Sequence, residues 1–318
     1  MADFHQHGRV ATLHNLRTTQ TEDLEAQLVE FSEHKKIWVI LPCLYSELEG
    51  EAMPRIRKEL AAVPYIDHIV IGLDKATETQ FESAKAFFSE LPQEHSILWN
   101  DGPRLKSIDE HLANATLAPR EIGTGRNVWY CFGYALACGR ADVVALHDCD
   151  ILTYRREMLA RLLYPVCHPN FSYQFCKGYY PRVASGTLNG RVNRLLVTPL
   201  LHALSELFGH LDYLTYLKSF RYALSGEFAM ETSILKDIRV PSDWGLEIGV
   251  LSEAYRNLNA RRICQVDIAD NYDHKHQPLS ESDANAGLSR MSRDISKALF
   301  RKLAIQGVVF QKETFRTL

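Results

Sequence analysis

The chain has 318 residues, 46% of them hydrophobic, enough for a large core in one domain or two fused halves. Its net charge of -3, from 36 basic and 39 acidic residues, gives no broad field toward nucleic acid or an anionic membrane. No apolar run approaches the ~20 residues of a membrane helix, the polar N-terminus has no signal-peptide core, and seven scattered cysteines form no CxxC pair, so a cytoplasmic protein without a zinc ribbon or disulfide framework is expected.

Residues 1–35 are polar and read as an N-terminal arm, with one helix over 22–31. Lys36-Ile37-Trp38-Val39-Ile40-Leu41 is a short β-rich run that Pro42 is expected to end. A helix follows over 47–62. His68-Ile69-Val70-Ile71-Gly72-Leu73-Asp74 predicts a second buried strand. A helix over 77–88 places Phe81, Ala84, Phe87 and Phe88 on one face. Ser96-Ile97-Leu98-Trp99 is a third strand. Gly123-Thr124-Gly125 introduces a helix over 126–138, and a strand over 141–147 runs into Asp148-Cys149-Asp150. This alternation implies parallel pairing with right-handed crossovers, hence an α/β fold with a doubly wound, mostly parallel sheet. Ligands of such sheets collect at the C-terminal ends of strands, which singles out 42–44, 73–75 and 100–102.

The second half is less regular. A strand is expected over 171–180, then a helix over 192–208 that Pro199 kinks or breaks. An amphipathic helix over 245–258, a strand over 263–268 and a closing helix over 285–305 complete the pattern. The apolar, aromatic residues 211–220 read as a core-packing helix, with a subunit interface as the alternative. A single soft boundary near 150 separates 36–150 from 151–318.

The strongest chemical signal is Asp148-Cys149-Asp150. A buried strand delivers two carboxylates, one residue apart, to a sheet end. One can face Mg²⁺ or Mn²⁺, hard cations that bridge phosphates, and the other can reach a sugar or ribose hydroxyl. A diphosphate leaving group needs that neutralisation, because negative charge collects on it as its bond breaks. A phosphatase of the haloacid dehalogenase type wants Thr or Val where Leu152 stands, and wants the motif early in the chain. His274, after the strand over 263–268, is the second candidate ligand; a surface histidine in a charged loop is the plainer reading. Ser225-Gly226-Glu227 sets a carboxylate between apolar stretches, where it is paired or functional. Glu247, in the first turn of a helix, is adequately explained by the helix dipole. Asn189-Gly190-Arg191 precedes a helix whose N-terminal amides, with Arg191, form a ready anion site.

These segments, in this order, resemble the glucosyl-3-phosphoglycerate synthases, retaining GT-A glycosyltransferases related to the mannosyl-3-phosphoglycerate synthases. The likeness runs from about residue 38 to 304. It rests on Asp148-Cys149-Asp150, Leu188-Asn189-Gly190-Arg191-Val192-Asn193, Leu224-Ser225-Gly226-Glu227-Phe228-Ala229, the helix from Gly245 to Leu251, and His274-Lys275-His276-Gln277-Pro278-Leu279. The resemblance implies a Rossmann-like nucleotide-binding half over 36–150, fused to an acceptor-binding half over 151–318. It implies transfer of glucose or mannose from a UDP- or GDP-sugar to 3-phosphoglycerate or a similar small phosphorylated acid, with Mg²⁺ or Mn²⁺, in a homodimer. Leu41, Pro42, Cys43 and Leu44 would line the donor pocket, with Asp74 and Gly125 nearby. Asp148 and Cys149 would hold the donor, and Asp150 with His274 the metal. Gly190, Arg191, Asn193 and His276 would receive the acceptor, and Glu227 would orient the donor sugar or acceptor hydroxyl. The chain departs from the family pattern at Ser46, Lys75, Thr124, Asn193 and Gln277, so more than one donor and acceptor stays admissible. A sugar nucleotidyltransferase is the alternative. It usually carries a basic glycine-rich loop after the first strand, and residues 41–51 hold one glycine and no lysine or arginine.

Overall fold

The computed structural model describes residues 9–14, 16, 19–117, 123–184, 187–274 and 287–318. Strand β1 (Ala11–Leu13) and helix α1 (Thr21–Ser32) come first. Strands and helices then alternate through β2 (Ile37–Leu44), α2 (Tyr45–Leu48), α3 (Ala52–Ala61), β3 (His68–Asp74), α4 (Glu78–Phe88), β4 (Glu94–Trp99), α5 (Pro103–Asn114), α6 (Thr124–Cys138) and β5 (Val143–Leu146). Next come α7 (Arg156–Cys167), β6 (Phe175–Tyr179) and a small hairpin of β7 (Val183–Ala184) and β8 (Thr187–Leu188). A π-helical segment, Asn193–Val197, leads into α8 (Thr198–Phe208). The remaining elements are α9 (Asp212–Lys218), β9 (Phe228–Glu231), α10 (Thr232–Leu235), α11 (Leu246–Asn257), β10 (Ile263–Asp267), α12 (Gly287–Ile305) and α13 (Lys312–Thr317).

Among the described residues, one sheet runs β1-β10-β6-β9-β5-β2-β3-β4. Its pairs are parallel except those of β9, which lies antiparallel between β5 and β6. The sheet therefore takes strands from both sides of residue 150. β2 and β3 are buried along almost their whole length, as strands covered on both faces must be, and read as continuous runs of Val, Ile and Leu. One core lies against α1, α3 and α7 on one face; the other lies against α6, α8, α9, α11 and α12.

Several boundaries differ from the sequence reading. β2 continues through Pro42 to Leu44. The Ile40 carbonyl accepts from His147 N–H on the β5 side (3.2 Å). Pro42, two residues on, turns its missing donor to the same side, where the β5 ladder has already stopped at Ile40↔Leu146. The helix expected over 47–62 is split into α2 and α3 around Gly50. Helix α5 has no counterpart in the sequence reading. None of its residues is buried, although Gly102 and Pro103 form a regular helix start and Leu105, Ile108 and Leu112 share one face. At Pro199 the expected break is a change from π to α winding, because proline offers no N–H to the preceding turn. Residues Tyr213, Leu214, Tyr216 and Leu217 of α9 are buried, as a core helix requires.

Candidate active site

β5 stops at Leu146, and Asp148-Cys149-Asp150 leaves the C-terminal edge of the sheet beside β2. The chain after β10 returns to the same place. Ile151 and His274 form an isolated antiparallel bridge. Leu152 N–H donates to the Asp273 carbonyl (2.9 Å), and Asp273 N–H donates to Thr153 Oγ1 (3.0 Å). These bonds bring Asp150 Oδ2 to 3.4 Å from His274 Nδ1, with both side chains partly open to the cleft. Adjacent ligands about 2.1 Å from one octahedral cation lie about 3.0 Å apart, a few tenths of an ångström less than this separation. The pair thus fits a single divalent ion, and carboxylate plus imidazole is a donor set that suits Mn²⁺ or Mg²⁺. Among the described residues no three His, Cys, Asp or Glu side chains cluster to hold a metal.

The two side chains stand in the wall of a cleft of about 220 Å³, open to solvent. Pro42 and Leu44 line it from β2, and Asp148, Cys149 and Asp150 from β5. Gly190, Arg191 and Asn193 line it at the start of the helical segment that becomes α8. Gly190 adopts φ 77°, a left-handed conformation that glycine alone takes at no steric cost. The turn aims the first amides of that helix, and the exposed Arg191 beside them, into the cleft, as the anion-site reading requires.

Other sequence candidates do not reach the wall. Leu41 and Cys43 are fully buried in the core below β2. Asp74 is buried and paired with Arg126 (3.1 Å). Burial lifts the Asp74 carboxyl above its usual range, and Arg126 opposes that shift. Gly125 is also buried, with Thr124 lining the cleft in its stead. A Cβ at Gly125 would stand 1.8 Å from the Pro241 carbonyl oxygen, so close backbone packing accounts for this glycine. Gly125→Ala should cost about 1–3 kcal/mol through forced displacement of backbone. Thermal unfolding checks this, since an unchanged Tm would contradict the close approach. Glu227 is fully buried behind the wall, its Oε1 accepting from Tyr272 Oη at 2.5 Å. His276 lies outside the described residues.

A glutamate that does enter the cleft is Glu247, at the start of α11. A helix N-terminus lowers a carboxyl pKa, yet here burial raises it to about 7, against the pull of the Lys177 ammonium. The dipole therefore does not account for Glu247. Lys177, on β6, is buried and donates to the Ser225 carbonyl. Desolvation lowers its pKa to about 8, while Glu247, Glu227 and Asp148 sustain its charge. Burial and the Glu227, Asp150 and Glu247 charges push the Asp148 carboxyl well above the ordinary range, with Lys177 in opposition. One lysine thus faces several carboxylates, an imbalance that a divalent cation offsets. Arg182, whose Nη1 donates to Tyr222 Oη (3.0 Å), also lines the cleft with Tyr222 and Tyr180. Tyr180, Arg182 and Tyr222 had no signal in the sequence, because their partners are distant in the chain.

No family model matches the chain. It is 48% identical over 318 residues to a glucosyl-3-phosphoglycerate synthase of Persephonella marina, an alignment covering 100% of this chain and 78% of that protein. The fold is that of the glucosyl-3-phosphoglycerate synthase from Mycobacterium tuberculosis in complex with Mn²⁺, UDP and glucosyl-3-phosphoglycerate, with TM-score 0.67, 21% identity, and coverage of 92% of this chain and 87% of that one. A mannosyl-3-phosphoglycerate synthase from Rubrobacter xylanophilus superposes with TM-score 0.69 at 22% identity, covering 95% and 83% of the two chains. The mostly parallel GT-A sheet and the cleft at its strand ends are accounted for by this kinship. With nearly half its residues shared with the Persephonella marina protein from one end of the chain to the other, it belongs to the glucosyl-3-phosphoglycerate synthase family of glycosyltransferases.

Proposed function

We propose that the chain transfers glucose, or mannose, from a nucleoside diphosphate sugar to 3-phosphoglycerate or a closely similar acid, with retention of anomeric configuration. The observation that carries this is the Asp150–His274 pair, 3.4 Å apart in the same cleft as Arg191. That arrangement supports a cation-neutralised diphosphate at one end and an anionic acceptor at the other. When bound, Mg²⁺ or Mn²⁺ supplies charge neutralisation at the leaving diphosphate. Asp150 and His274 hold it there. Pro42, Leu44 and Cys149 border the donor from the 36–150 half, and Asp148 and Glu247 face its sugar hydroxyls. Arg191 and the amides at Arg191, Val192 and Asn193 bind the acceptor phosphate and carboxylate. The leaving phosphate oxygen takes the acceptor's hydroxyl proton on the face that the bond to the sugar vacates, which gives retention.

The experiment is a matrix of UDP- and GDP-glucose and -mannose against 3-phosphoglycerate and related acids, with Mg²⁺ or Mn²⁺ and mass-spectrometric detection. A hexosylated acid with its α-anomeric linkage preserved is the expected product. Nucleotide-sugar formation from a sugar 1-phosphate and a nucleoside triphosphate, with no hexosyl transfer, would instead establish the nucleotidyltransferase alternative.

Glu247 gives a pH prediction. With its pKa raised to about 7, the carboxylate is lost as pH falls through neutrality. The wild-type kcat/KM should therefore decline below about pH 7, on a limb that Glu247→Gln removes while lowering activity at pH 8. An identical acid limb in the variant would take Glu247 out of this role.

Two coarser features bear on context. Among the described residues no helix is long and apolar enough to cross a membrane. The seven free cysteines, six of them buried, support a reducing cytoplasmic setting. The exposed side chains of Ile305, Val309 and Phe315 support a homodimer, which sedimentation at micromolar concentration checks.

A further inference from the structure

Glu227 is a fully buried carboxylate that does not reach the cleft. Its Oε1 accepts the Tyr272 hydroxyl at 2.5 Å, and its Oε2 has no hydrogen-bond partner among the described residues. Tyr272 is held at its hydroxyl and on its ring. One ring face stacks on Tyr180 with centroids 3.6 Å apart and planes 4° from parallel. Its ring also meets the His274 imidazole edgewise at 5.8 Å and 75°. Tyr272 and His274 are two residues apart in an extended segment that bridges to Ile151, and side chains two apart in such a segment share a face. The backbone bonds from Leu152 to Asp273 and from Asp273 to Thr153 place the segment, and the ring contact with Tyr272 then bears on the direction of the His274 imidazole itself.

We propose that Glu227 is a positioning residue of the metal site: through its hydrogen bond to Tyr272 it holds the His274 imidazole against Asp150. This rests on the assignment of Asp150 and His274 as metal ligands. It removes Glu227 from direct contact with donor or acceptor and gives its burial a purpose. Outer groups that orient metal-binding histidines typically change affinity 10- to 100-fold when lost.

The test is Mn²⁺ affinity, measured by electron paramagnetic resonance of the free ion, without substrates. Tyr272→Phe keeps the ring contacts with Tyr180 and His274 and removes only the hydroxyl. It should weaken Mn²⁺ binding about tenfold or more. Glu227→Leu should do the same, whereas Glu227→Gln, which keeps an acceptor oxygen for the tyrosine hydroxyl, should restore binding to within about twofold of wild type. Circular dichroism and unfolding curves identify folded variants, and Tyr272→Phe decides the matter where Glu227→Leu does not fold. Asp150→Ala is the control. Loss of binding in Asp150→Ala together with wild-type affinity in Tyr272→Phe would overturn the positioning role and leave the metal site intact. Wild-type affinity in Asp150→Ala as well would overturn the metal assignment on which the role stands. A purely structural contribution of Glu227 would lower the unfolding midpoint of Glu227→Leu and Glu227→Gln alike without moving Mn²⁺ affinity in the folded protein.

Discussion

Asp150→Ala is expected to lower kcat by a factor of about 10³ while the fold persists. Asp150 sits at the surface of the cleft and contributes no core packing, so its removal leaves the sheet intact. What it removes is one of two protein ligands 3.4 Å apart. His274 alone cannot fix a cation against the diphosphate, and the charge that builds on the leaving group is then left to water. Each factor of ten corresponds to ~1.4 kcal/mol of transition-state stabilisation, so the predicted loss is about 4 kcal/mol, within the range seen when a preorganised charge-stabilising group is deleted. Exhaustive chelation of the wild-type enzyme should reproduce the loss, and added Mn²⁺ should restore wild type but not the variant. Steady-state kinetics with and without chelator measures both. Full activity after chelation would contradict the metal's part in the reaction.

Arg191→Ala should act on the proposed acceptor site. An exposed arginine on the first turn of a helix, beside Gly190 and its free amides, has no packing role to lose. Charge-assisted hydrogen bonds to an anion are worth about 1.5–3 kcal/mol each, so the acceptor KM should rise about 10- to 100-fold. The donor KM should move by less than about twofold, since Arg191 lies away from the Asp150–His274 pair in the proposed division of the cleft. Initial-rate measurements varying each substrate in turn separate the two. Equal rises in both constants would remove Arg191 from the acceptor site.

The parts of the molecule that were legible in the sequence are those whose signals are local. The buried strands β2, β3 and β5 announce themselves as Val, Ile and Leu runs, and a carboxylate pair at a strand end is visible without knowing its neighbours. The Asp148-Cys149-Asp150 segment, the Asn189-Gly190-Arg191 turn and His274, each singled out in the sequence, all line one cleft. Partnerships across the chain were not legible. Asp74 looked like a ligand-facing acid at a sheet end; its pairing with Arg126, on a helix that begins fifty residues later, is a tertiary fact. Pro42 looked like a stop signal because nothing in the sequence says where β5 ends. Glu247 had a sufficient local explanation in the dipole of α11, and only its own desolvation in the folded chain, opposed by Lys177, shows that the dipole does not govern it. Glu227 was read as paired or functional from its apolar flanks and as substrate-facing only through the family resemblance, and those same flanks bury it behind the wall. Helix α5 had a local signal in Gly102-Pro103 and in the spacing of Leu105, Ile108 and Leu112, and the sequence reading passed over it.

The account depends on one cation being gripped by two side chains that the chain brings together from opposite halves. Anomalous diffraction at the manganese edge, from crystals of the enzyme with Mn²⁺ and UDP, tests this most directly. A peak about 2.1 Å from both Asp150 Oδ2 and His274 Nδ1, with diphosphate oxygens completing the shell, is the predicted result. A manganese peak elsewhere in the molecule, with Asp150 and His274 in contact only with water, would contradict it.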